Sequence, residues 1–392
     1  MPETDFTLDP AQTGVKARQL EASLKALVVG QDEAIGQIVN VYQTYLAGLA
    51  ATGRSLGNFL FLGPTGSGKT RMVEAAAESL LQNSRAMLKI DCAEFQHSHE
   101  IAKLIGSPPG YLGHRETHAL LSQEVLNQWH TGEMKISFVL FDEIEKASDA
   151  LWNLLLGILD KGTLTLGDNR KVDFSNAMIF MTSNIGASEM SALVSPRFGF
   201  MAGELSQNYQ AGRIGVDLNE KILNSSVAAA RRKFTPEFLN RIDRVVTFRP
   251  LGPDALSQIL DIELRAVQQR IFNALPETSF MFELTAPAKA LLLREGTDVN
   301  YGARHLKRAI ERRLVQPLSN LIASHQIKGG DCIRVDREGT LDRLTFIKRA
   351  EGVPCPARAP SSSHMTPTRS TAAGRSVLFD AAKAHNRVPR LA

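Results

Sequence analysis

Short runs of apolar, β-forming residues alternate with segments of helical periodicity along the first 250 residues. These runs predict strands at residues 58–62, 86–90, 137–141, 177–182 and 245–248. Continuously apolar strands that alternate with helices are typical of a parallel sheet with helices packed on both faces. The pattern therefore predicts an α/β fold whose ligands bind beyond the carboxyl ends of the strands.

The pattern changes near residue 250. Before it, an apolar helix at 150–159 precedes two short runs, 164–166 and 171–174, whose separation by a turn indicates a β-hairpin. After it, short strands near 280–284 and 332–335 accompany long helices, which are predicted at 254–274, 286–295 and 302–324. A second, smaller and mostly helical domain is therefore expected.

The last segment differs again in composition. Beyond residue 350 the chain is rich in Pro, Ser, Thr, Ala and Arg and has few large apolar residues, so burial cannot offset the entropy of ordering it. Four parts are predicted: an N-terminal extension (1–19), a large domain (20–249), a small domain (250–349) and a disordered basic tail (350–392).

The charge of the chain is concentrated in that tail. The 392 residues carry a formal net charge of +4, and residues 351–392 alone hold six Lys or Arg against two Asp or Glu. The rest of the chain is therefore near neutral. A protein that binds duplex DNA normally carries a basic stripe on its folded part, so the composition argues against nucleic acid as a partner.

One uncharged stretch, residues 34–53, is long enough to cross a bilayer. Its polar residues Gln37, Asn40, Gln43 and Thr44 recur at spacings of three to four, which predicts an amphipathic surface helix instead of a membrane span. No membrane association is expected.

The cellular compartment is predicted from the N-terminus and the cysteines. The start, MPETDFTLDP, has no basic region followed by an apolar run, so no signal peptide is expected. Cys92, Cys332 and Cys355 lie far apart, which supports neither a disulfide framework nor a zinc module. Both observations favour the reducing cytoplasm.

A glycine-rich loop between the first strand and the next helix matches the pattern G-x-x-x-x-G-K-[ST]. Its residues are Gly63, Pro64, Thr65, Gly66, Ser67, Gly68, Lys69 and Thr70. The glycines let consecutive backbone N–H groups face a phosphate at a helix N-terminus. Lys69 is expected to neutralise the β and γ phosphates of ATP, and the Thr70 hydroxyl is expected to bind Mg²⁺.

Polar residues end the two strands that follow. Asp142 and Glu143 come after the apolar run 138–141, beside the predicted nucleotide. Asp142 suits the magnesium shell, and Glu143 is placed to polarise the attacking water as a general base. Asn184, after the run 177–182, can hydrogen-bond both the γ phosphate and that water, although an asparagine at such a position is often a turn residue.

Seven motifs occur in one order along the chain: VVGQDEA (28–34), GPTGSGKT (63–70), IGSPPGYLG (105–113), FDEIEKA (141–147), MTSNIGA (181–187), FTPEFLNRID (234–243) and YGARHLKRAI (301–310). Over roughly residues 20–348 the sequence resembles the Clp family of AAA+ protein unfoldases. The likeness is greatest to the second ATPase module and C-terminal small domain of ClpA, ClpB and ClpC.

The resemblance implies a P-loop AAA+ parallel sheet flanked by helices, followed by a mostly helical small domain. It also implies a homo-oligomeric, six-membered ring in which ATP hydrolysis drives pore loops that pull polypeptide substrates through the centre. Because about twenty residues precede the shared region, a stand-alone single ring is expected. The alternative is an ATP-switched assembly scaffold, or a remodelling ATPase that does not thread its substrate.

The resemblance also assigns roles around the nucleotide. Val29 is expected to contact it, Asn184 corresponds to the first sensor, and Arg304 in YGAR corresponds to the second sensor. A guanidinium can bind phosphate oxygens bidentately and stabilise the charge that develops during transfer. The basic helix that contains Arg304 could instead be a solvated face.

Arg241 in LNRID corresponds to the arginine finger, which would reach the ATP of the neighbouring subunit. Two alternatives remain open. Arg241 could form an ion pair within its own subunit, with Asp243 or Glu237, and Arg244 is a second candidate for the finger.

Tyr111 and Leu112 correspond to the pore loop that grips substrate. Their loop, PPGYLG (108–113), would present one aromatic and one aliphatic side chain to solvent, although such an aromatic could also pack back onto its domain.

The insert 188–227 contains RFGF (197–200), which resembles the loops by which ClpC and ClpX dock on the ClpP peptidase. ClpB carries Arg-Phe-Gly at a similar place without that partner, so docking through Phe198, Gly199 and Phe200 is only one reading. Neither this insert nor the basic tail identifies a substrate.

Overall fold

The computed structural model describes residues 8–107, 119–194, 216–274, 279–297, 302–339 and 342–349. For the helical residues 191–194 and 216–219 it describes the backbone alone.

Up to residue 247 the described residues alternate between strands and helices. The strands are β1 (Gly57–Leu62), β2 (Leu88–Asp91), β3 (Ser137–Asp142), β4 (Thr163–Thr165), β5 (Lys171–Asp173), β6 (Ala177–Ser183) and β7 (Arg244–Thr247). The helices are α1 (Val15–Leu27), α2 (Asp32–Leu46), α3 (Lys69–Leu81), α4 (Ala102–Ile105), α5 (Gln123–Asn127), α6 (Asp149–Lys161), α7 (Ala187–Val194), α8 (Val216–Lys233) and α9 (Pro236–Leu239). All five predicted core strands are confirmed within about two residues at each end, and β4 and β5 form the predicted hairpin.

The main sheet has five parallel strands in the order β2-β3-β6-β1-β7. Alternate residues of β1 face opposite sides: Phe59 and Phe61 pack into one apolar cluster, and Leu60 and Leu62 pack into the other. Helices cover both faces because each face is apolar. Since the order reverses around β1, the loop after β1 lies between the carboxyl ends of its neighbours β6 and β7.

Helix α2 confirms the amphipathic reading of the uncharged stretch. Ile35, Ile38 and Val39 on one face are buried, whereas Asn40 and Thr44 are exposed. Among the described residues, no helix is long and apolar enough to cross a membrane.

After β7 the described helices are α10 (Pro253–Ala274), α11 (Ala286–Gly296), α12 (Ala303–Ile310) and α13 (Gln316–Ala323), and the strands are β8 (Met281–Leu284), β9 (Cys332–Arg337) and β10 (Leu344–Lys348). A π-helical turn, Glu311–Val315, joins α12 to α13 in one continuous helix. These elements enclose their own apolar cluster, and β8 and β10 flank β9. The sequence did not predict β10 or α1.

The four-part division of the chain stays a prediction. Its first boundary, between residues 19 and 20, falls inside α1, whose Ala17, Leu20 and Leu24 are buried against the main sheet's cluster. The tail from residue 350 lies outside the described residues.

The cysteines differ from one another. Cys92 is a buried free thiol whose pKa is raised, mainly by burial. Cys332 is disulfide-bonded, which the wide sequence spacing did not predict.

Candidate active site

The glycine-rich loop connects β1 to α3 and needs its glycines for two physical reasons. Gly63 has φ of +152°, and a Cβ there would lie 2.5 Å from the carbonyl oxygen of Phe248. Gly66 (φ +78°) and Gly68 (φ +102°), the latter at the N-cap of α3, adopt left-handed conformations that side chains disfavour. The loop is thereby wrapped in front of the α3 N-terminus, where N–H groups can face an anion.

Lys69, the first residue of α3, is only 7% exposed. Its ammonium donates to the carbonyl oxygens of Gly63 (2.7 Å) and Pro64 (2.9 Å) and to the Oδ1 atom of Asn184 (2.9 Å). Burial lowers the pKa of Lys69 from 10.5 to about 8, although nearby carboxylates, Glu145 first among them, oppose that shift. A cation held in this way is poised for a ligand that carries negative charge.

Asp142 ends β3 and is surrounded by donors. Its Oδ1 accepts from the hydroxyl of Thr182 and lies 3.5 Å from the Thr70 hydroxyl, and its Oδ2 lies 2.9 Å from the Lys89 ammonium. Burial raises the pKa of Asp142, but the hydrogen bonds from Thr182 and Lys89 outweigh it, so the pKa is lowered. The hydroxyl of Thr70 and this ionised carboxylate are the hard oxygen ligands that suit Mg²⁺.

Glu143 follows in a left-handed conformation, with φ of +57°. Such a conformation costs a non-glycine residue roughly 1 kcal/mol or more and is found mostly where function requires it. Its backbone N–H lies 3.1 Å from the Thr182 hydroxyl, and its carboxylate contacts the Lys146 ammonium. The strained turn directs the carboxylate back toward Asn184.

Asn184 follows β6 and connects these groups. Its Oδ1 accepts from Lys69 and lies 3.4 Å from the Thr65 hydroxyl, while its Nδ2 lies 3.4 Å from Glu143 Oε1. One carboxamide therefore contacts both the cation and the acid of the site.

Arg304 lies on α12, whose N-terminus rests on the glycine-rich loop. The N–H of Ala303 donates to the carbonyl oxygen of Gly66 at 3.2 Å. Together these elements surround a cavity of about 320 Å³. Its lining residues are Thr65, Gly66, Gly68, Lys69, Thr70, Arg71, Glu74, Lys89, Asp142, Glu143, Thr182, Asn184, Ala303, Arg304 and Lys307. The structure thus brings together most of the predicted site residues.

Among the described residues, the lining does not include the predicted loop residues Gly63, Pro64 and Ser67, nor Val29 and Arg241. Val29 lies half-buried in the link between α1 and α2. Arg241 lies between α9 and β7, where its guanidinium contacts Glu237 Oε1 at 3.1 Å and Asp160 Oδ1 at 3.7 Å. The alternative of an ion pair within the chain is therefore what the structure shows for Arg241, with Glu237 as the partner.

Arg244, the second candidate finger, is also held within the chain. It donates to the Gln37 side chain at 3.0 Å and lies over the Phe59 ring. Tyr111, Leu112 and residues 198–200 lie outside the described residues.

Sequence reasoning assigned no role to several residues at or near the cavity, among them Lys89, Thr182 and Gln31. Lys89 is on β2, two residues before Asp91, which pairs with Asp142 across the sheet. Gln31, at the N-cap of α2, is 4% exposed and donates to the carbonyl oxygens of Ser67 and Arg249, both at 3.1 Å. Strand alignment could have indicated Lys89. Gln31 lies within the motif VVGQDEA (28–34), but the sequence does not show that its side chain contacts the glycine-rich loop.

Two protein-family models match the chain. Residues 54–245 match the AAA domain (Cdc48 subfamily), and residues 251–335 match the C-terminal, D2-small domain of ClpB protein.

Curated relatives agree with these matches. The chaperone protein ClpB of Meiothermus ruber is 39% identical over 338 residues, which are 86% of this chain and 36% of that protein. The negative regulator of genetic competence ClpC/MecB of Bacillus subtilis is 36% identical over 323 residues, 82% of this chain and 37% of that protein. The chain therefore spans little more than a third of the length of these relatives.

A solved structure shows the same architecture. The S. cerevisiae Hsp104:casein complex in its extended conformation matches with a TM-score of 0.69 and 31% identity, over 84% of this chain and 52% of that one.

Proposed function

The chain belongs to the Clp family of AAA+ ATPases, and on that basis we propose that it hydrolyses ATP to unfold polypeptides and translocate them through the pore of a hexameric ring. It would act as a Clp-type chaperone, or as the regulatory ATPase subunit of a protease, in the cytoplasm. The observation that carries the proposal is the network around Asn184, which joins the Lys69 ammonium to the Glu143 carboxylate within one cavity.

Each residue of the network has a distinct task. The buried Lys69 would exchange its carbonyl partners for phosphate oxygens, which are stronger acceptors because they carry charge. Glu143 would accept a proton from the attacking water, and Asn184 would orient that water beside the γ phosphate. Arg304, which also lines the cavity, would stabilise the negative charge on the transferred group.

Thr70 and Asp142 would hold Mg²⁺, since a hydroxyl and an ionised carboxylate fit its preference for oxygen ligands. An ion held by these two residues would supply positive charge that neutralises the phosphates. Lys89 would then have to share Asp142 with the ion, because its ammonium contacts Oδ2.

Arg241 would complete the site of a neighbouring subunit. Its guanidinium lies outside the cavity of its own chain and is 26% exposed, which is compatible with a reach across a ring interface once its contact with Glu237 breaks. Glu237 is itself an exposed residue, so that exchange costs little in buried charge.

The proposal is tested by unfolding of a stably folded, tagged substrate with ATP, with and without a ClpP-type peptidase. Tyr111→Ala should keep ATP hydrolysis and lose most substrate unfolding, because the pore loop transmits force only through side-chain contact. Tyr111→Phe should keep most of both activities, since grip depends on bulk.

Glu143→Gln is the matched chemical control and should bind ATP without turnover. If Tyr111→Ala unfolds substrate at the wild-type rate, threading is wrong and the ATP-switched scaffold is favoured. Degradation of the substrate only when the peptidase is present would identify a protease subunit. If that subunit docks through residues 198–200, Phe198→Ala should abolish degradation but not unfolding.

A further inference from the structure

Two consecutive carbonyl groups of the glycine-rich loop are hydrogen-bonded from outside the loop. The Gly66 carbonyl accepts from the N–H of Ala303 at 3.2 Å, and the Ser67 carbonyl accepts from the Gln31 side chain at 3.1 Å. Ala303 and Gln31 are far apart in the sequence, and neither belongs to the phosphate-binding motif.

The loop needs such contacts because its glycines leave it free to rearrange. The peptide planes between Gly66 and Ser67 and between Ser67 and Gly68 are each bordered by a glycine with positive φ. Glycine populates positive and negative φ about equally, so the plane between Ser67 and Gly68 could flip. The plane between Gly66 and Ser67 is also held within the loop, because the Ser67 N–H donates to the Pro64 carbonyl oxygen at 3.3 Å. Because a peptide unit is planar, fixing its carbonyl also fixes the direction of its N–H.

Gln31 is suited to this task by its chemistry. Its Nε2 donates to the carbonyl oxygens of both Ser67 and Arg249, and its Oε1 accepts from the Arg249 N–H at 3.2 Å. The carboxamide is 4% exposed and uses both of its N–H groups. A carboxylate of the same shape would instead face two carbonyl oxygens without a proton to donate.

The second contact depends on Gly302. This residue has φ of +51° and ψ of −140°, and a Cβ there would lie 2.7 Å from the Gly66 carbonyl oxygen. Only glycine combines this backbone conformation with so close an approach. Gly302 therefore allows α12 to place its first N–H on the loop, one residue before Arg304.

We propose that Gln31 and Gly302–Ala303 are positioning residues that preorganise the phosphate loop by holding the Gly66 and Ser67 carbonyls. This inference rests on the proposed nucleotide binding. Preorganisation removes an ordering cost from the bound state, so its loss weakens affinity without removing any ligand contact. Because the contacts act on the loop itself, they should strengthen ADP and ATP binding alike, whereas Arg304 should favour ATP alone.

The test measures dissociation constants of the full-length protein for ADP and for a non-hydrolysable ATP analogue by calorimetry. Gly302→Ala and Gln31→Glu should each raise the dissociation constants of both nucleotides about tenfold. A tenfold change corresponds to the loss of one of the stronger hydrogen bonds. Arg304→Ala should weaken binding of the ATP analogue and leave the affinity for ADP nearly unchanged.

Two matched controls separate positioning from general destabilisation. Gln268→Glu alters a glutamine that bridges the backbone of Phe280 and Phe282 in the C-terminal apolar cluster. Gly162→Ala alters a glycine with φ of +57° whose Cβ would lie 3.0 Å from the Arg54 backbone. Both controls should bind ADP like wild type, even where the thermal midpoint falls as much as in the test variants.

Two results would overturn the inference: test variants that bind ADP like their controls, or a loss confined to the ATP analogue. Wild-type protein that binds neither nucleotide would instead refute the proposed function itself, and the inference with it.

Discussion

The pH dependence of nucleotide affinity should report the buried state of Lys69. Burial lowers its pKa to about 8 without nucleotide, and bound phosphates would raise it again because they favour the charged ammonium. Nucleotide binding above pH 8 should therefore be coupled to uptake of a proton by Lys69.

The sign follows from the order of the two pKa values. The folded pKa lies below the ordinary 10.5, so the protonated lysine disfavours folding at pH 7 by roughly 3 kcal/mol. Above pH 10.5 Lys69 is neutral in both the folded and the unfolded protein, so the free energy of unfolding does not include this cost. The free energy of unfolding decreases as the pH falls from 10.5 through 8, where the folded protein also becomes protonated at Lys69. Binding an anion recovers part of that cost while Lys69 is charged, which is why affinity should be higher at pH 7 than at pH 9.

The magnitude can be worked from the same value. At pH 9 about one Lys69 in eleven is protonated before binding, so ADP affinity should fall about tenfold between pH 7 and 9, with uptake of about 0.9 proton. Calorimetry in two buffers of different ionisation enthalpy measures both quantities. ADP is the suitable ligand because its terminal phosphate, with a second pKa of about 6, is already mostly ionised at pH 7.

Lys69→Arg is the control, since a guanidinium does not titrate in this range. Its affinity for ADP can be lower at every pH, but it should be independent of pH between 7 and 9. A wild-type affinity for ADP that is also independent of pH, without proton uptake, would refute the lowered pKa of Lys69 and the reasoning from burial that supports it.

Two further outcomes are expected. Arg241→Ala and Glu143→Gln subunits, each inactive alone, should recover part of the ATPase rate when mixed. Some interfaces of a head-to-tail ring would then pair an intact Arg241 with an intact Glu143. No recovery in confirmed mixed rings would indicate that Arg241 acts within its own subunit. Asn58→Ala should lower the free energy of unfolding by about 3 kcal/mol, since Asn58 is fully buried and donates to the carbonyl oxygens of Leu159 and Arg241. Asn40→Ala, on the exposed face of α2, should change it by less than about 0.5 kcal/mol, and equal urea midpoints for the two variants would contradict this account.

The central strands β1, β3 and β6 could be predicted from the sequence because they are buried on both faces and form unbroken apolar runs. The elements that were missed lack that signal. Helix α1 buries only Ala17, Leu20 and Leu24 among many charged residues, and β10 is an edge strand in which Leu344 alone is buried.

The residues of the candidate site also fall into those that the sequence could predict and those that it could not. The phosphate loop and Asp142 with Glu143 belong to contiguous motifs whose spacing carries their chemistry. Gln31 and Gly302 act through backbone atoms of residues 36 or more positions away, and such contacts leave no periodic or compositional trace. For Arg241 the sequence motif predicts a role across a subunit interface, and the structure of a single chain cannot show such a role.

The π-helical turn between α12 and α13 has a consequence for the direction of Arg304. Leu306, Ile310, Leu314 and Leu318 are buried at a strict spacing of four, which would drift by about 40° per step in a regular α-helix. The wider turn at Glu311–Val315 takes up part of this drift and keeps the stripe against its cluster. Removing one residue from that turn would rotate the start of the helix by about 100° relative to Leu318. An indel there would therefore redirect Arg304 away from the cavity, although every other residue of the cavity lining stayed the same.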